Sequence, residues 1–212
     1  MSHHHFMLNY VTIKKTGLSW IENTTGIGFG YCLADDMGLG KTIEVISYIL
    51  SRKENNNSKG INLIICPTTV ITNWDHEIKR FAPELSVLIH HGNKRRKEED
   101  FISDISNFDV VLTSYSTATR DYFTLANVNW DGIIIDEVQY IKNRWTKQSN
   151  AIESFKSNYR IALTGTPIEN RLDELWSIFD FINPGYLGPQ KKFRENFEIH
   201  VEKGNDDCNT GF

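Results

Sequence analysis

Residues 29–52 read FGYCLADDMGLGKTIEVISYILSR, and the stretch changes character twice. Phe29-Gly30-Tyr31-Cys32-Leu33-Ala34 is a short, mostly apolar run of strand length. From Thr42 to Arg52, Ile43, Ile46, Ile49 and Leu50 recur at helical spacing, with Arg52 at the end. Between them lie Asp35, Asp36, Met37, Gly38, Leu39, Gly40, Lys41 and Thr42. A strand, a glycine-rich loop and a helix start are the parts that hold a nucleotide triphosphate. Glycines let backbone N–H groups approach the phosphates, and the helix N-terminus favours an anion. A Lys can reach the β- and γ-phosphates, and a hydroxyl can bind Mg²⁺. Asp36, Met37, Gly38, Leu39, Gly40, Lys41 and Thr42 are therefore the candidate ATP-binding residues, with Thr42 also a candidate metal ligand. The strict GxxxxGK[ST] spacing would place a glycine at position 35, where Asp35 stands. A turn that merely ends in Lys-Thr would share these residues, so the loop needs a partner motif.

Working outward, further short apolar runs alternate with longer mixed segments. The runs are Asn62–Cys66, Ser86–Ile89, Asp109–Thr113, Gly132–Ile135 and Arg160–Leu163. Most are apolar on both alternating faces, as strands buried between helix layers must be. Trp74 to Phe81 offers Trp74, Ile78 and Phe81 on one helical face. Leu172 to Ile182 carries Leu175, Trp176, Phe179 and Ile182, then stops at Asn183-Pro184-Gly185. Strand alternating with helix implies an α/β domain built on a mainly parallel sheet flanked by helices.

The partner motif is Trp130-Asp131-Gly132-Ile133-Ile134-Ile135-Asp136-Glu137, an apolar run ending in two acids. Successive residues leaving a strand point different ways, so the two can take different tasks. Asp136 can hold the Mg²⁺ shell and Glu137 can orient the attacking water. Alone, such a pair is a solvated strand end; after a Gly-Lys-Thr loop it reads as Mg²⁺-dependent ATP hydrolysis, with Lys41 and Glu137 as the catalytic candidates. A third element, Leu163-Thr164-Gly165-Thr166-Pro167, ends the last run. By itself it is a turn and helix cap, with Pro167 at a helix start. Beside the other two motifs, Thr164, Gly165 and Thr166 become candidates for coupling the nucleotide to a neighbouring surface.

Composition sets outer bounds. The chain has 212 residues, of which 40% are hydrophobic, so a sizeable core can form and wholesale disorder is excluded. No apolar stretch reaches the roughly 18 residues of a membrane span, and MSHHHFMLNY lacks the pattern of a secretory signal. Three cysteines without a CxxC pair argue against a disulfide framework and a zinc site. The net charge of -4 argues against a generally basic nucleic-acid coat and leaves room for a local groove. An intracellular protein, cytoplasmic or in the nucleoid or nucleus, is expected.

The strings LADDMGLGKT, ICPTTVITNW, VLTSY, IIIDEVQYIKN and ALTGTPIENRLDELWSIFDFINPG occur in this order and cover most of Gly17 to Gly185. With them the sequence resembles the SWI/SNF-type branch of the superfamily-two helicase-related ATPases, in which the departure at Asp35 is usual. The resemblance implies a three-layer RecA-like lobe that binds ATP and contacts duplex DNA. By position, Pro67, Thr68 and Thr69, with Thr113, Ser114 and Tyr115, would lie along the DNA phosphate backbone, where contacts position a protein without reading sequence. From composition alone, these residues are strand-end caps. The family hydrolyses ATP between two such lobes, and the second supplies arginine fingers. Such fingers are worth on the order of a thousandfold or more in rate. A lobe expected to span 17–190, without its second lobe, should bind ATP and DNA weakly and turn ATP over poorly, as a monomer.

Other segments carry narrower expectations. Ser51–Gly60 reads as an exposed loop, and Asn93–Asp100 (NKRRKEED) as a solvated face or helix start, with a phosphate-contacting patch the minority alternative. Residues 191–212 read as a polar extension ending before a second lobe could begin. Residues 1–16 are atypical: the family resemblance implies LRxYQxxGxxWI, whose Gln reads the adenine edge, and only Thr16–Ile21 fits. A single-base slip in a poly-A run, disorder or simple divergence would each account for Tyr10–Lys15. Two readings compete with an ATPase motor: a binding module that uses ATP only as a conformational switch, and an inactive truncated remnant.

Overall fold

Runs that are apolar on both faces leave one physical solution, a sheet with packed helices above and below. The computed structural model describes residues 17–198 apart from 37, 56, 59, 94, 97, 142, 144 and 166–171. Its centre is a six-stranded sheet of β1 (Tyr31–Leu33), β2 (Asn62–Cys66), β3 (Val87–His90), β4 (Val110–Ser114), β5 (Trp130–Asp136) and β6 (Ser157–Leu163). The spatial order is β1-β6-β5-β2-β4-β3, and every pairing is parallel.

Successive side chains on a strand face opposite ways, and the two cores show it. Ile64, Cys66, Val110, Leu112, Ile134, Ile161 and Leu163 pack on one side, against α2 (Lys41–Glu54) and α3 (Ile71–Phe81). Leu63, Ile65, Val111, Ile133, Ile135 and Ala162 pack on the other. That second layer holds α4 (Glu98–Asp104), α5 (Tyr115–Arg120), α6 (Tyr122–Ala126), α7 (Lys147–Glu153) and α8 (Leu172–Ile182). A first helix, α1 (17–26), adds Leu18 and Ile21 to the α2–α3 side. Among the described residues no helix is long and apolar enough to cross a membrane.

Four features differ from the sequence reading. The first strand shortens from Phe29–Ala34 to Tyr31–Leu33: the Gly30 N–H and carbonyl oxygen are taken by the Asn183 side-chain amide. Helix α3 begins at Ile71, three residues before Trp74, directly from a 3₁₀ turn at Thr68–Val70. Phe81 lies 40% exposed under the Arg80 guanidinium, although Trp74 and Ile78 of the same face are buried. The polar 51–60 segment begins as the last helical turn of α2, through Glu54. The charged 93–100 segment, read as a solvated face or helix start, does hold the start of α4 at Glu98, with Arg95 drawn onto Asp121. The expectations for residues 1–16 and for 199–212 lie outside the described residues.

At the N-terminal end of the sheet, Asp131 is fully buried and paired to Arg52 at 3.1 Å, and Asn158 also donates to it. A buried carboxylate needs such partners. Beside it, Gly132 faces Tyr159: a Cβ there would fall 2.2–2.5 Å from the phenol ring. The Tyr159 hydroxyl is itself tied to Asn62 Oδ1 in the core. Gly132→Ala should therefore destabilise the fold by about 1–3 kcal/mol, the usual cost of overpacking. Urea denaturation followed by circular dichroism checks this, and an unchanged midpoint would contradict it.

Candidate nucleotide-binding site

Because all six strands are parallel, their C-terminal ends share one rim, the edge at which open α/β sheets bind ligands. Read across the sheet, that rim carries the 34–40 loop after β1, Thr164-Gly165 after β6, Asp136-Glu137 at the end of β5, Pro67–Thr69 after β2 and Ser114-Tyr115 after β4. The carboxylate turn stands between the glycine-rich loop and the Thr-rich segments. The sheet order thus brings the described sequence-identified groups onto one edge.

The loop after β1 is shaped by its glycines. Gly38 has φ +85° and Gly40 has φ +88°, a region that disfavours any residue with a Cβ. Gly40 is the N-cap of α2 and offers no side-chain cap, so the first backbone N–H groups of that helix are left for another acceptor. A Cβ on Gly38 would meet nothing within 4 Å, so the cradle is open on that side. Lys41 folds its Nζ back onto the carbonyl oxygens of Asp35 and Asp36, at 2.5 and 3.1 Å. Asp36, Gly38 and Leu39 are exposed, and Lys41 and Thr42 are half-buried in the first turn of α2. Met37 lies outside the described residues.

The carboxylate turn is built differently. Burial pushes the Asp136 carboxyl above its ordinary range. The Trp74 hydrogen bond opposes that rise, the Glu137 charge adds to it, and the Lys41 ammonium pulls the other way. The indole Nε1 of Trp74 donates to Asp136 Oδ2 at 2.8 Å. Lys41 also lowers the Cys32 thiol against the burial that lifts it to about 11, so its charge reaches both β1 and β5. Glu137 has φ +60°, an uncommon conformation for a residue with a long side chain and the kind of local strain that concentrates at functional sites. Its Oε2 accepts from Gln139 Nε2 at 2.6 Å. The Tyr115 hydroxyl donates to the carbonyl oxygens of Asp136 at 2.7 Å and Glu137 at 3.2 Å. Tyr140 stacks on that phenol with ring centroids 5.0 Å apart.

These residues fit the groups that the sequence implies. A buried carboxyl whose charged form is disfavoured is one that a divalent cation would stabilise. Magnesium characteristically takes one or two carboxylates together with substrate phosphates. Asp136 and the Thr42 hydroxyl would hold the ion, and the open glycine loop with Lys41 would hold the phosphates.

The remaining candidates separate into exposed and inward-facing groups. Thr164 is buried, and its N–H donates to the Leu33 carbonyl oxygen at 3.0 Å, tying the end of β6 to the strand that leads into the loop. Gly165 is half-buried beside it, and Thr166 lies outside the described residues. Thr68 and Thr69 are exposed, and Pro67 is half-buried. Thr113, Ser114 and Tyr115, expected along a surface, have buried side chains. Thr113 Oγ1 donates to the His90 carbonyl oxygen, Ser114 caps α5 by accepting from the Thr117 N–H, and Tyr115 reaches the carboxylate turn. Ser116, in the first turn of α5, is the exposed residue there. Sequence reasoning took Trp74 only as an apolar helix-face residue and did not single out Gln139 or Tyr140. Their partners are set by the sheet order, which no local pattern encodes.

This rim defines the chain as a P-loop, RecA-like nucleotide-binding lobe. A family model of the SNF2-related domain matches residues 13–211, and the chain belongs to that family. It is similar to YwqA of Bacillus subtilis strain 168, provisionally named an ATP-dependent helicase/translocase, with 50% identity over 198 residues. That match covers 93% of this chain and 22% of the relative. The TATA-binding protein-associated factor MOT1 of Saccharomyces cerevisiae is 35% identical over 87% of this chain and 10% of its own length. Among solved structures, the Sulfolobus solfataricus SWI2/SNF2 ATPase core in complex with dsDNA superposes with a TM-score of 0.80 at 43% identity. The match covers 91% of this chain and 39% of that one. The chain therefore spans about a fifth or less of the two curated relatives.

The loop geometry carries a direct test. Gly38→Ala would force φ +85° on a residue with a Cβ, at a cost of about 1 kcal/mol. Chemical denaturation should show a loss of that size, and ATP affinity should fall as the loop relaxes. Unchanged stability and affinity would contradict the conformation described.

Proposed function

We propose that this chain is the ATP-binding lobe of a DNA-dependent ATPase of the SWI/SNF type, one that couples Mg-ATP hydrolysis to movement on duplex DNA when joined to a second RecA-like lobe. The observation that carries the reading is the sheet order, which puts the glycine loop after β1 and the carboxylate turn of β5 on one rim with only β6 between them. Bound Mg-ATP would supply the phosphoanhydride bond and the cation that neutralises its charge. Lys41, now on the carbonyl oxygens of Asp35 and Asp36, would hold phosphate oxygens of bound ATP. Thr42 and Asp136 would hold the metal. Glu137 orients the attacking water and draws on its proton, with its carboxylate steadied by Gln139. Thr164, whose N–H is bonded back to β1, and the neighbouring Gly165 take the coupling role.

Contact with DNA is assigned to the opposite half of the rim, at the exposed Thr68, Thr69 and Ser116. The duplex-bound relative at 43% identity supports duplex DNA as the partner. Charge stabilisation at the leaving phosphate is assigned to the second lobe, because arginine fingers come from across the interface. The isolated chain is then a weak binder and a slow hydrolase.

ATP binding and duplex-stimulated hydrolysis, measured for this chain and for the chain joined to a second lobe, test the reading. Hydrolysis should appear strongly only in the two-lobe protein. Lys41→Ala should weaken ATP binding, whereas Glu137→Gln should retain it and lose turnover by about 10²–10⁴-fold, the usual contribution of a positioned base. Tight binding without turnover in either protein would replace the motor by a conformational switch, and absence of binding would leave an inactive remnant.

A further inference from the structure

We infer that Trp74 and Tyr115 are positioning residues that carry the state of the DNA-facing segments to the carboxylate turn, each through one hydrogen bond. The inference rests on the reading of Asp136 and Glu137 given above, and it concerns how those groups are controlled.

The two aromatics arrive from opposite faces of the sheet. Trp74 belongs to the α2–α3 side and Tyr115 to the α4–α8 side. Both are buried, at 1% and 4% exposure. Trp74 ends on the Asp136 carboxylate at 2.8 Å; Tyr115 ends on the main-chain oxygens of Asp136 and Glu137. The turn is therefore gripped once by its side chain and once by its backbone. The backbone grip falls on the residue with φ +60°, a conformation that persists only where its surroundings enforce it. Tyr140, three residues beyond Glu137, stacks on the same phenol and closes the contact from the far side.

Each aromatic is also a short rigid step from the outer surface. The 3₁₀ turn Thr68–Val70 runs without a break into α3, and its start is pinned by the Val70 N–H on the Pro67 carbonyl oxygen. Trp74 lies one helical turn into α3, so a shift of the exposed Thr68-Thr69 segment is passed along a helix rather than absorbed by a loop. On the other side, Ser114 caps α5 and Tyr115 is its first residue, next to the exposed Ser116. A phosphate backbone laid across the exposed Thr68-Thr69 and Ser116 would hold both levers at once. With both levers held, Asp136 and Glu137 keep their relative orientation; with either released, the turn can relax from its strained conformation.

Tyr115→Phe and Trp74→Phe remove one hydrogen bond each while keeping an aromatic ring. In the two-lobe protein, the ratio of duplex-stimulated to basal hydrolysis should fall about tenfold in each variant. The fall should lie in kcat, with the KM for ATP and the Kd for duplex within twofold of wild type. A ratio that is unchanged in both variants, or equal losses of basal and stimulated rate, would overturn the inference. A second readout needs no turnover. The Trp74 indole N–H resonance of this chain, assigned by its loss in Trp74→Phe, should shift on saturation with duplex; a resonance that does not move overturns the inference. Hydrolysis that survives Glu137→Gln would instead refute the assignment of the carboxylates, and the resonance would still decide the coupling.

Discussion

A half-buried carboxylate set beside a second one whose backbone sits at positive φ does not hold its position unaided. In this lobe the Asp136-Glu137 turn keeps its shape because a buried indole and a buried phenol grip it from opposite faces of the sheet. The rest of the rim depends on that constraint. The glycine loop can form without it, since the conformation of Gly38 and Gly40 is local. The carboxylates, by contrast, are useful only in a fixed relation to Lys41, and that relation spans two strands of the sheet, β6 and β5. Fixing charged groups before the reaction is what lets a site stabilise developing charge without reorganising at that moment.

Much of the architecture was legible because burial leaves a pattern. β2 and β4 are buried at every position, and their runs of Val, Ile and Leu announced strands covered on both faces. The helical spacing of Ile43, Ile46, Ile49 and Leu50 placed α2 within two residues of its observed ends. Of the short helices α4 to α7, only a start for α4 was anticipated: five to seven residues contain too few turns for a 3.6-residue period to show. Thr68 and Thr69 were found on the surface as read, whereas Thr113, Ser114 and Tyr115 turned inward. Periodicity tells which face of an element is buried. It does not tell which buried polar atom will satisfy another 62 residues away, as Trp74 satisfies Asp136.

The site was legible to the same extent and for the same reason. Lys41, Thr42, Asp136 and Glu137 stood out because their spacing is local and their chemistry is specific. Trp74, Gln139 and Tyr140 did not, because an aromatic or amide in an apolar context is ordinary until the strand order is known. That order, β1-β6-β5-β2-β4-β3, sorts the rim into a nucleotide end and an outer end with the carboxylate turn between them. On the proposed reading, a modest lobe with net charge -4 would meet a polyanion through a narrow strip, without a broadly basic surface.

The central claim, that docking at the outer end of the rim is felt at the carboxylates, is tested most directly by amide hydrogen exchange with and without saturating duplex DNA. Exchange should slow at 67–70 and 113–117 and also at 136–140, where no DNA contact is assigned. Protection confined to 67–70 and 113–117, with 136–140 exchanging at the same rate in both states, would contradict the account.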